Sequence, residues 1–336
     1  MPKRSITLRP QDGLASITAI NCGSSNPQLG GTIQLSAFSN LQNFTCINNN
    51  ITELSGTSNL SALTAINIKG NTLPAFPNLS ASTNLETIIC NGTSPTIRQF
   101  TGSFPNLAAY TNLKTYSGLF CGFSGSLPSL SANTALQYFD CSFNPLTGNL
   151  PDLSANTELI EFYCYRNGFL SGEIPNLSAN TKLRTFECFG NSFTGSPPVL
   201  PSSVSKFLCR INKLNGSIPN FPTVTSLQNY DCSANDLVGN IPSLSSINTL
   251  NNFACSNNKL TGFSGGVHFG LLQLTAQNNL LTQSAVDAIL AAFVAANASS
   301  GYLNLGGTGN AAPTGGQNNS NRLTLLSRGW TVTVNG

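Results

Sequence analysis

The sequence predicts a strand-dominated α/β-type solenoid of about 12 short coils, with a parallel sheet on the concave side and a helix-plus-strand cap at the C-terminal end. Three observations predict it. First, a segment recurs along most of the chain. The cysteines of its six clearest copies, Cys141, Cys164, Cys188, Cys209, Cys232 and Cys255, step by 23, 24, 21, 23 and 23 residues. Second, each copy places apolar residues two apart, which on a strand point to one face. Third, each copy continues through an Asn into a return rich in Gly and Pro, the chemistry of tight turns. A lone coil cannot cover its apolar face, and stacked neighbours do.

The elements follow in order. Residues 1–16 form an N-terminal arm, 17–282 the solenoid and 283–336 the cap. Weaker copies open the array at Ile17/Ile20/Cys22, Leu41/Phe44/Cys46, Leu63/Ile66/Ile68, Leu85/Ile88/Cys90 and Leu113/Tyr116/Gly118. The clearest copies begin at Leu136/Phe139/Cys141/Asn144 and end at Leu250/Phe253/Cys255/Asn258. Leu271/Leu274/Ala276/Asn279 follows, and Leu303/Leu305 offers a further strand. The Asn after each strand can bridge backbone groups in the turn, so the repeated Asn should form a ladder. Thr93 and Cys121 interrupt it where the spacing lengthens to 28 residues between Cys90 and Gly118, and a bulged loop is expected over 91–109. Runs such as Leu130-Ser-Ala-Asn-Thr134 cross the convex side as turns. In the cap, Val286, Ile289, Leu290, Phe293 and Val294 have helical spacing, which predicts a helix over 284–296 with Ser284 as N-cap and Asp287 in its first turn. A short helix near 321–327 stops at Gly329, and a strand over 330–334 closes the chain.

The repeat resembles the leucine-rich repeat, L-x-x-L-x-L-x-x-N-x-L, with Phe or Tyr and Cys at positions where Leu is usual. Ser171-Gly-Glu-Ile-Pro175, Asn215-Gly-Ser-Ile-Pro219 and Val238-Gly-Asn-Ile-Pro242 resemble its plant-type subclass. The end, Ser327-Arg-Gly-Trp-Thr-Val-Thr-Val334, resembles caps that follow such repeats in bacterial and phage proteins. The resemblance covers roughly residues 17–282. It implies the fold, and it implies binding of proteins, peptides or glycans without selecting one.

Composition removes several classes. Charged residues are only 8% of the chain and the net charge is +3, too weak for a general nucleic-acid binder. Hydrophobic residues are 40% and Asn numbers 43, so amides and hydroxyls replace charge on the surface. No apolar run reaches the ~18 residues of a membrane span. The start, Met1-Pro-Lys-Arg-Ser-Ile-Thr-Leu-Arg-Pro10, lacks the apolar stretch of a secretory leader, so cytosolic synthesis is expected. The numerous Asn-x-Ser/Thr sequons follow from Asn and Ser abundance and would then carry no sugar. Nine of the ten cysteines share one inward slot that Ile68 and Ala276 also fill. A slot that accepts Ile is a packing position, so these thiols read as small buried hydrophobes, reduced in the cell. No cofactor, metal set, P-loop or dinucleotide fingerprint is present. His268 is the sole histidine and reads as structural. The chain is therefore expected not to be an enzyme.

The residues flanking each inward position should face the concave side. Early coils offer Asn43, Thr45, Ala65 and Asn67 there, and late coils Asn252, Ala254, Gln273 and Thr275. The middle differs. It offers Tyr138, Asp140, Glu161, Tyr163 and Tyr165, then Glu187, Phe189, Lys206, Leu208, Arg210 and Asp231. Aromatic and Arg side chains are those that binding hot spots favour, so this stretch is the expected ligand-binding patch. Lys3, Arg4 and Arg9 of the arm, and Trp330 of the cap, are the expected assembly contacts. Together these features point to a phage virion component, a tail, fibre or capsid-surface protein whose partners are neighbouring subunits and a host protein or glycan. A bacterial surface or secreted adhesin is the alternative, and a plant-type receptor ectodomain or inhibitor the third.

Overall fold

The computed structural model describes residues 14–23, 28–94, 99–221 and 224–336. Lys3, Arg4 and Arg9 lie outside the described residues. Two compact units divide the chain, Met1–Phe169 and Leu170–Gly336, and each is a parallel solenoid. In the first, the strands Ala19–Asn21, Asn43–Thr45, Ala65–Asn67, Thr87–Ile89, Thr115–Ser117, Tyr138–Asp140 and Glu161–Tyr163 pair in sequence order. In the second, Thr185–Glu187, Lys206–Leu208, Asn229–Asp231, Asn252–Ala254, Gln273–Thr275, Gly301–Asn304 and Trp330–Thr333 do the same.

Register places the inward residue of each strand beside its counterpart. Tyr116, Phe139 and Phe162 stack with centroids 5.3 and 5.1 Å apart in the first unit. Phe186, Phe207, Tyr230 and Phe253 stack at 5.8, 5.5 and 5.2 Å in the second. All seven are fully buried, so aromatic faces fill the space that Leu fills in the family pattern. The cysteines run alongside, free and buried except for half-buried Cys22. Burial pushes the thiols of Cys141, Cys188, Cys209, Cys232 and Cys255 up, which favours the inert protonated form.

The Asn ladder holds the turns. Asn71 Nδ2 donates to Ile68 O of its own coil at 3.0 Å and to Cys46 O of the preceding coil at 2.6 Å, and its Oδ1 accepts from Ile51 N at 3.2 Å. Asn235, Asn258 and Asn279 repeat this pattern. Asn310 carries it into the cap. Both interruptions are repaired. Gln99, from the lengthened coil, sends Nε2 to Ile68 O at 3.0 Å and accepts from Gly70 N at 3.2 Å. Cys121 points its thiol at Cys90 O, 2.9 Å away. Each substitute reaches the preceding-coil carbonyl that an Asn would have taken.

Two features escaped the sequence reading. The Leu-Ser-Ala-Asn runs carry a second, interior ladder. Asn133 Nδ2 bonds Leu107 O and Tyr110 O at 3.0 and 2.9 Å, and Asn156 Nδ2 bonds Leu130 O and Asn133 O at 3.0 and 2.9 Å. The Gly-Pro returns form short parallel ribbons. Gly30–Gln34 pairs with Asn50–Ser55 in the first unit, and Val238–Ile241 with Lys259–Phe263 in the second.

The cap corrects three expectations. Helix α1 spans Gln283–Ala295, and its N-cap is Thr282, whose hydroxyl accepts from Ala285 N at 3.2 Å, not Ser284. Asp287 lies beyond the first turn. Its carboxylate instead ties α1 to the cap loop by accepting from Thr314 N at 2.9 Å, Thr314 Oγ1 at 2.6 Å and Asn319 Nδ2 at 3.2 Å. Trp330 is packed within the cap, against Phe293 at 5.1 Å, and its Nε1 donates to Ala298 O at 3.1 Å. Only 3% of it is exposed, so the indole is withdrawn from the assembly contact expected of it. The second helix, α2 (Ser320–Ser327), and the closing strand fall where the sequence predicts them.

Candidate recognition face

In the first unit, Tyr138 and Asp140 flank inward Phe139, and Glu161 and Tyr163 flank inward Phe162. The phenol of Tyr163 donates to Glu161 Oε2 at 2.9 Å. The phenol of Tyr138 reaches toward Asp140 Oδ2 at 3.5 Å, and Asp140 Oδ1 accepts from Ser142 N at 2.9 Å. Burial, then the charges of Asp140 and Glu161, push the Tyr138 phenol well above its usual range, so it remains a donor. The rings of Tyr138, Tyr163 and Tyr165 follow one another at 5.6 and 6.3 Å.

In the second unit the chemistry changes. Lys206 Nζ lies 2.6 Å from Glu187 Oε1. Arg210 holds its guanidinium 4.0 Å above the Phe189 ring and its Nη1 3.5 Å from Asp231 Oδ2. Asp231 Oδ1 also accepts from Ser233 N and Oγ at 3.0 and 2.6 Å. Contact with Phe189 and Asp231 fixes the orientation of Arg210 and leaves its other N–H groups available, as cation–π and ion-pair geometry favour.

The residues expected on this face therefore lie on it in two groups, one per unit. Four of them differ from expectation in being buried: Asp140, Glu187, Phe189 and Leu208 are 6–8% exposed. Neighbouring coils close over short or central side chains, whereas Tyr, Lys and Arg reach past them. Asp140, Glu187, Phe189 and Leu208 thus orient or support the others. The sequence reading also passed over a rim beside the first group, formed by Phe120, Phe143, Arg166 and Phe169. Its signal is conformational. Asn48, Phe120, Phe143 and Arg166 share one turn position and all have φ between 52° and 57°. That left-handed region costs a bulky residue roughly 1–2 kcal/mol, so Phe and Arg stand where Asn or Gly would fit more easily.

His268 is structural. It is 5% exposed, its Nδ1 accepts from Gly270 N at 3.1 Å, and Nε2 is 2.8 Å from Leu250 O, which makes Nε2 the protonated nitrogen. Among the described residues, no group of three or more His, Cys, Asp or Glu is placed to hold a metal ion. No helix among them is long and apolar enough to cross a membrane.

Comparison with known proteins places the architecture. No protein-family model matches the chain, and a search of curated proteins found no match. Solved structures do match. The functional domain of InlJ from Listeria monocytogenes, which includes a cysteine ladder, aligns at TM-score 0.60 and 22% identity over 80% of this chain and 50% of that one. The Arabidopsis receptor kinase HAESA, in complex with the peptide hormone IDA and the co-receptor SERK1, aligns at TM-score 0.57 and 23% identity over 83% and 54%. A plant ice-binding protein aligns at TM-score 0.52 and 20% identity over 64% and 71%. This chain spans about half the length of the first two. At these identities the likeness is one of fold, and that fold is the leucine-rich repeat solenoid. That Listeria domain includes a cysteine ladder, and this chain carries a row of buried cysteines.

Proposed function

We propose that this chain is a non-enzymatic recognition protein that binds a protein or glycan through the outer sheet face of its middle coils. One observation carries the reading. The two positions that flank the inward residue carry no charged or aromatic side chain in the strands from Asn43 to Ser117 or from Asn252 to Thr275, whereas the strands between hold Tyr138, Asp140, Glu161, Tyr163, Glu187, Lys206 and Asp231 there, beside Thr185, Leu208 and Asn229. In a chain with 8% charged residues, that concentration is selective. The carboxylates on the face support binding over catalysis. Glu187 and Asp231 are paired with cations, and Glu161 with a phenol. None is aimed into an enclosed site where a general acid would work. The structure of HAESA in complex with the peptide hormone IDA supports ligand binding by a protein of this fold.

The setting we infer is a phage virion, with the protein as a tail, fibre or capsid-surface component and Lys3, Arg4 and Arg9 on neighbouring subunits. Low charge, an amide-rich surface and near-identical repeats support it. A bacterial surface or secreted location is the second reading, favoured by the cysteine ladder of the Listeria domain beside the cysteine row of this chain. Mass spectrometry of purified particles against washed host cells tests the setting. Recovery as a stoichiometric particle protein, lost when residues 1–16 are removed, is the expected result. Recovery on uninfected cells or in their medium would overturn the virion reading and leave the recognition reading intact.

A further inference from the structure

Two adjacent strands of the first unit set four side chains in a square. Register places Glu161 beside Tyr138 and Tyr163 beside Asp140. Tyrosine and carboxylate therefore alternate, and the two rings lie on a diagonal, 5.6 Å apart and tilted by 50°. Each phenol turns to the carboxylate two residues along its own strand, at 2.9 Å from Tyr163 to Glu161 and 3.5 Å from Tyr138 to Asp140. With the phenol protons directed at carboxylates, what the square offers a ligand is electron-rich: aromatic rings, phenol lone pairs and the remaining carboxylate oxygens. The flanking strand Thr115–Ser117 adds only Thr and Ser at its outward positions. Glu161 makes no ion pair among the described residues. Arg166, five residues on, instead holds its guanidinium carbon 5.4 Å from the Phe143 ring centre. The second unit shows the same elements with the cation supplied by the chain. Arg210 sits with its guanidinium carbon 4.0 Å from the Phe189 ring centre and its Nη1 3.5 Å from Asp231 Oδ2, and Lys206 Nζ lies 2.6 Å from Glu187 Oε1.

We propose that the square of Tyr138, Asp140, Glu161 and Tyr163 receives an arginine side chain from a protein partner, with the guanidinium on Glu161 and against the tyrosine rings. The proposal rests on the recognition reading above and names the partner's chemistry for the first unit. Charge selects a cation, because an anionic ligand would meet Asp140 and Glu161 as like charges. The combination of ring and carboxylate selects arginine, whose planar guanidinium stacks on an aromatic face while it forks to an oxygen pair. The chain's own Arg210, held between Phe189 and Asp231, is an instance of that arrangement. The partner engages through side chains. Tyr138–Asp140 is paired with Thr115–Ser117 on one side and Glu161–Tyr163 on the other, so its backbone has no open edge for strand addition.

The test titrates the full chain by isothermal calorimetry at low salt with four probes of equal length: hexa-arginine, hexa-citrulline, hexa-glutamate and a glucosamine hexamer. Hexa-arginine should bind about tenfold more tightly than hexa-citrulline, whose side chain has nearly the same shape without the charge. Glu161→Gln, which keeps an acceptor for the Tyr163 phenol, should erase most of that difference. Glu53→Gln removes the same charge from the return strand Asn50–Ser55 of the same unit and should leave the difference intact. Tyr138→Leu should weaken hexa-arginine about threefold to fivefold. Equal binding of the arginine and citrulline peptides would overturn the proposal. So would a preference that survives Glu161→Gln or falls as far in Glu53→Gln, or tighter binding of hexa-glutamate or of the cationic sugar. If the arginine preference is absent while Tyr163→Ala still abolishes attachment to the biological target, the recognition reading stands and this one falls.

Discussion

The two faces of the parallel sheet in each unit are built on one backbone and obey different rules. Inward strand positions stay apolar throughout, and the pattern repeats as Phe or Tyr, then Cys, then Asn from Phe139 to Asn258, with Ile, Leu, Ala or Gly substituting in the outer coils. Outward positions, one residue away, change from coil to coil and carry nearly all the unusual chemistry. Packing explains the contrast. An inward side chain must fit the coils before and after it, and a misfit propagates. An outward one meets solvent and is free to be selected for what it binds.

Substitutions can break or sharpen this contrast. The largest effect is expected inside. Phe186→Ala should cost about 3–5 kcal/mol in denaturant unfolding, because it empties a site between stacked rings. Asn144→Ala should cost about 3 kcal/mol, since it strands buried backbone groups of two coils. A loss under about 1 kcal/mol at Asn144 would mean that the ladder follows the fold and does not hold it together. Gln99→Ala should cost about 1 kcal/mol, because Ile68 O keeps its bond from Asn71 and Gly70 N keeps its bond to Asn91 O.

Thiol chemistry sharpens the contrast within the Cys row. Cys22 sits at its N-terminal end, half-buried, and a hydrogen bond from the Cys46 thiol lowers its pKa to about 7. The thiolate is the reactive form. Alkylation of native protein should therefore begin at Cys22 and rise through about pH 7, whereas Cys188 and Cys255, held protonated by burial, should need unfolding. Peptide mapping of alkylated protein across pH 5–9 checks this. Labelling that starts in the middle of the row would contradict the burial described here.

Most of the fold was legible because the repeat is a packing rule written many times over. Strand positions, the aromatic and Cys rows, the Asn ladder and the final helix and strand all follow from periodicity. What was not legible depends on partners brought from elsewhere in the chain. Nothing local marks Gln99 as the stand-in for an Asn, or Cys121 as a donor to Cys90 O. The interior role of Asn133 and Asn156 was hidden because Ser-Ala-Asn-Thr also reads as a plain turn. Thr282 displaced Ser284 as the cap because both are good N-cap residues, two positions apart, just before the same apolar face. On the candidate face, alternation identified the right strands. It could not tell reach from burial, so Leu208 and Phe189 were counted as surface. Trp330 was assigned outward for the same reason, although its indole completes the cap. The rim at Phe120, Phe143 and Arg166 was missed because its signal is a backbone angle.

The central claim is that the middle coils recognise a partner and their neighbours do not. It is tested most directly by measuring attachment of the purified protein to host cells for three variants side by side: Tyr163→Ala, Arg210→Ala and Asn252→Ala. All three residues are partly exposed on strands or turns of the parallel sheet of their own unit, so all three proteins should unfold within about 1 kcal/mol of the parent. Tyr163→Ala and Arg210→Ala should each lose about 1–2 kcal/mol of binding, a five- to thirtyfold drop in affinity, with Asn252→Ala unchanged. Equal losses at all three, or none at any, would contradict the account.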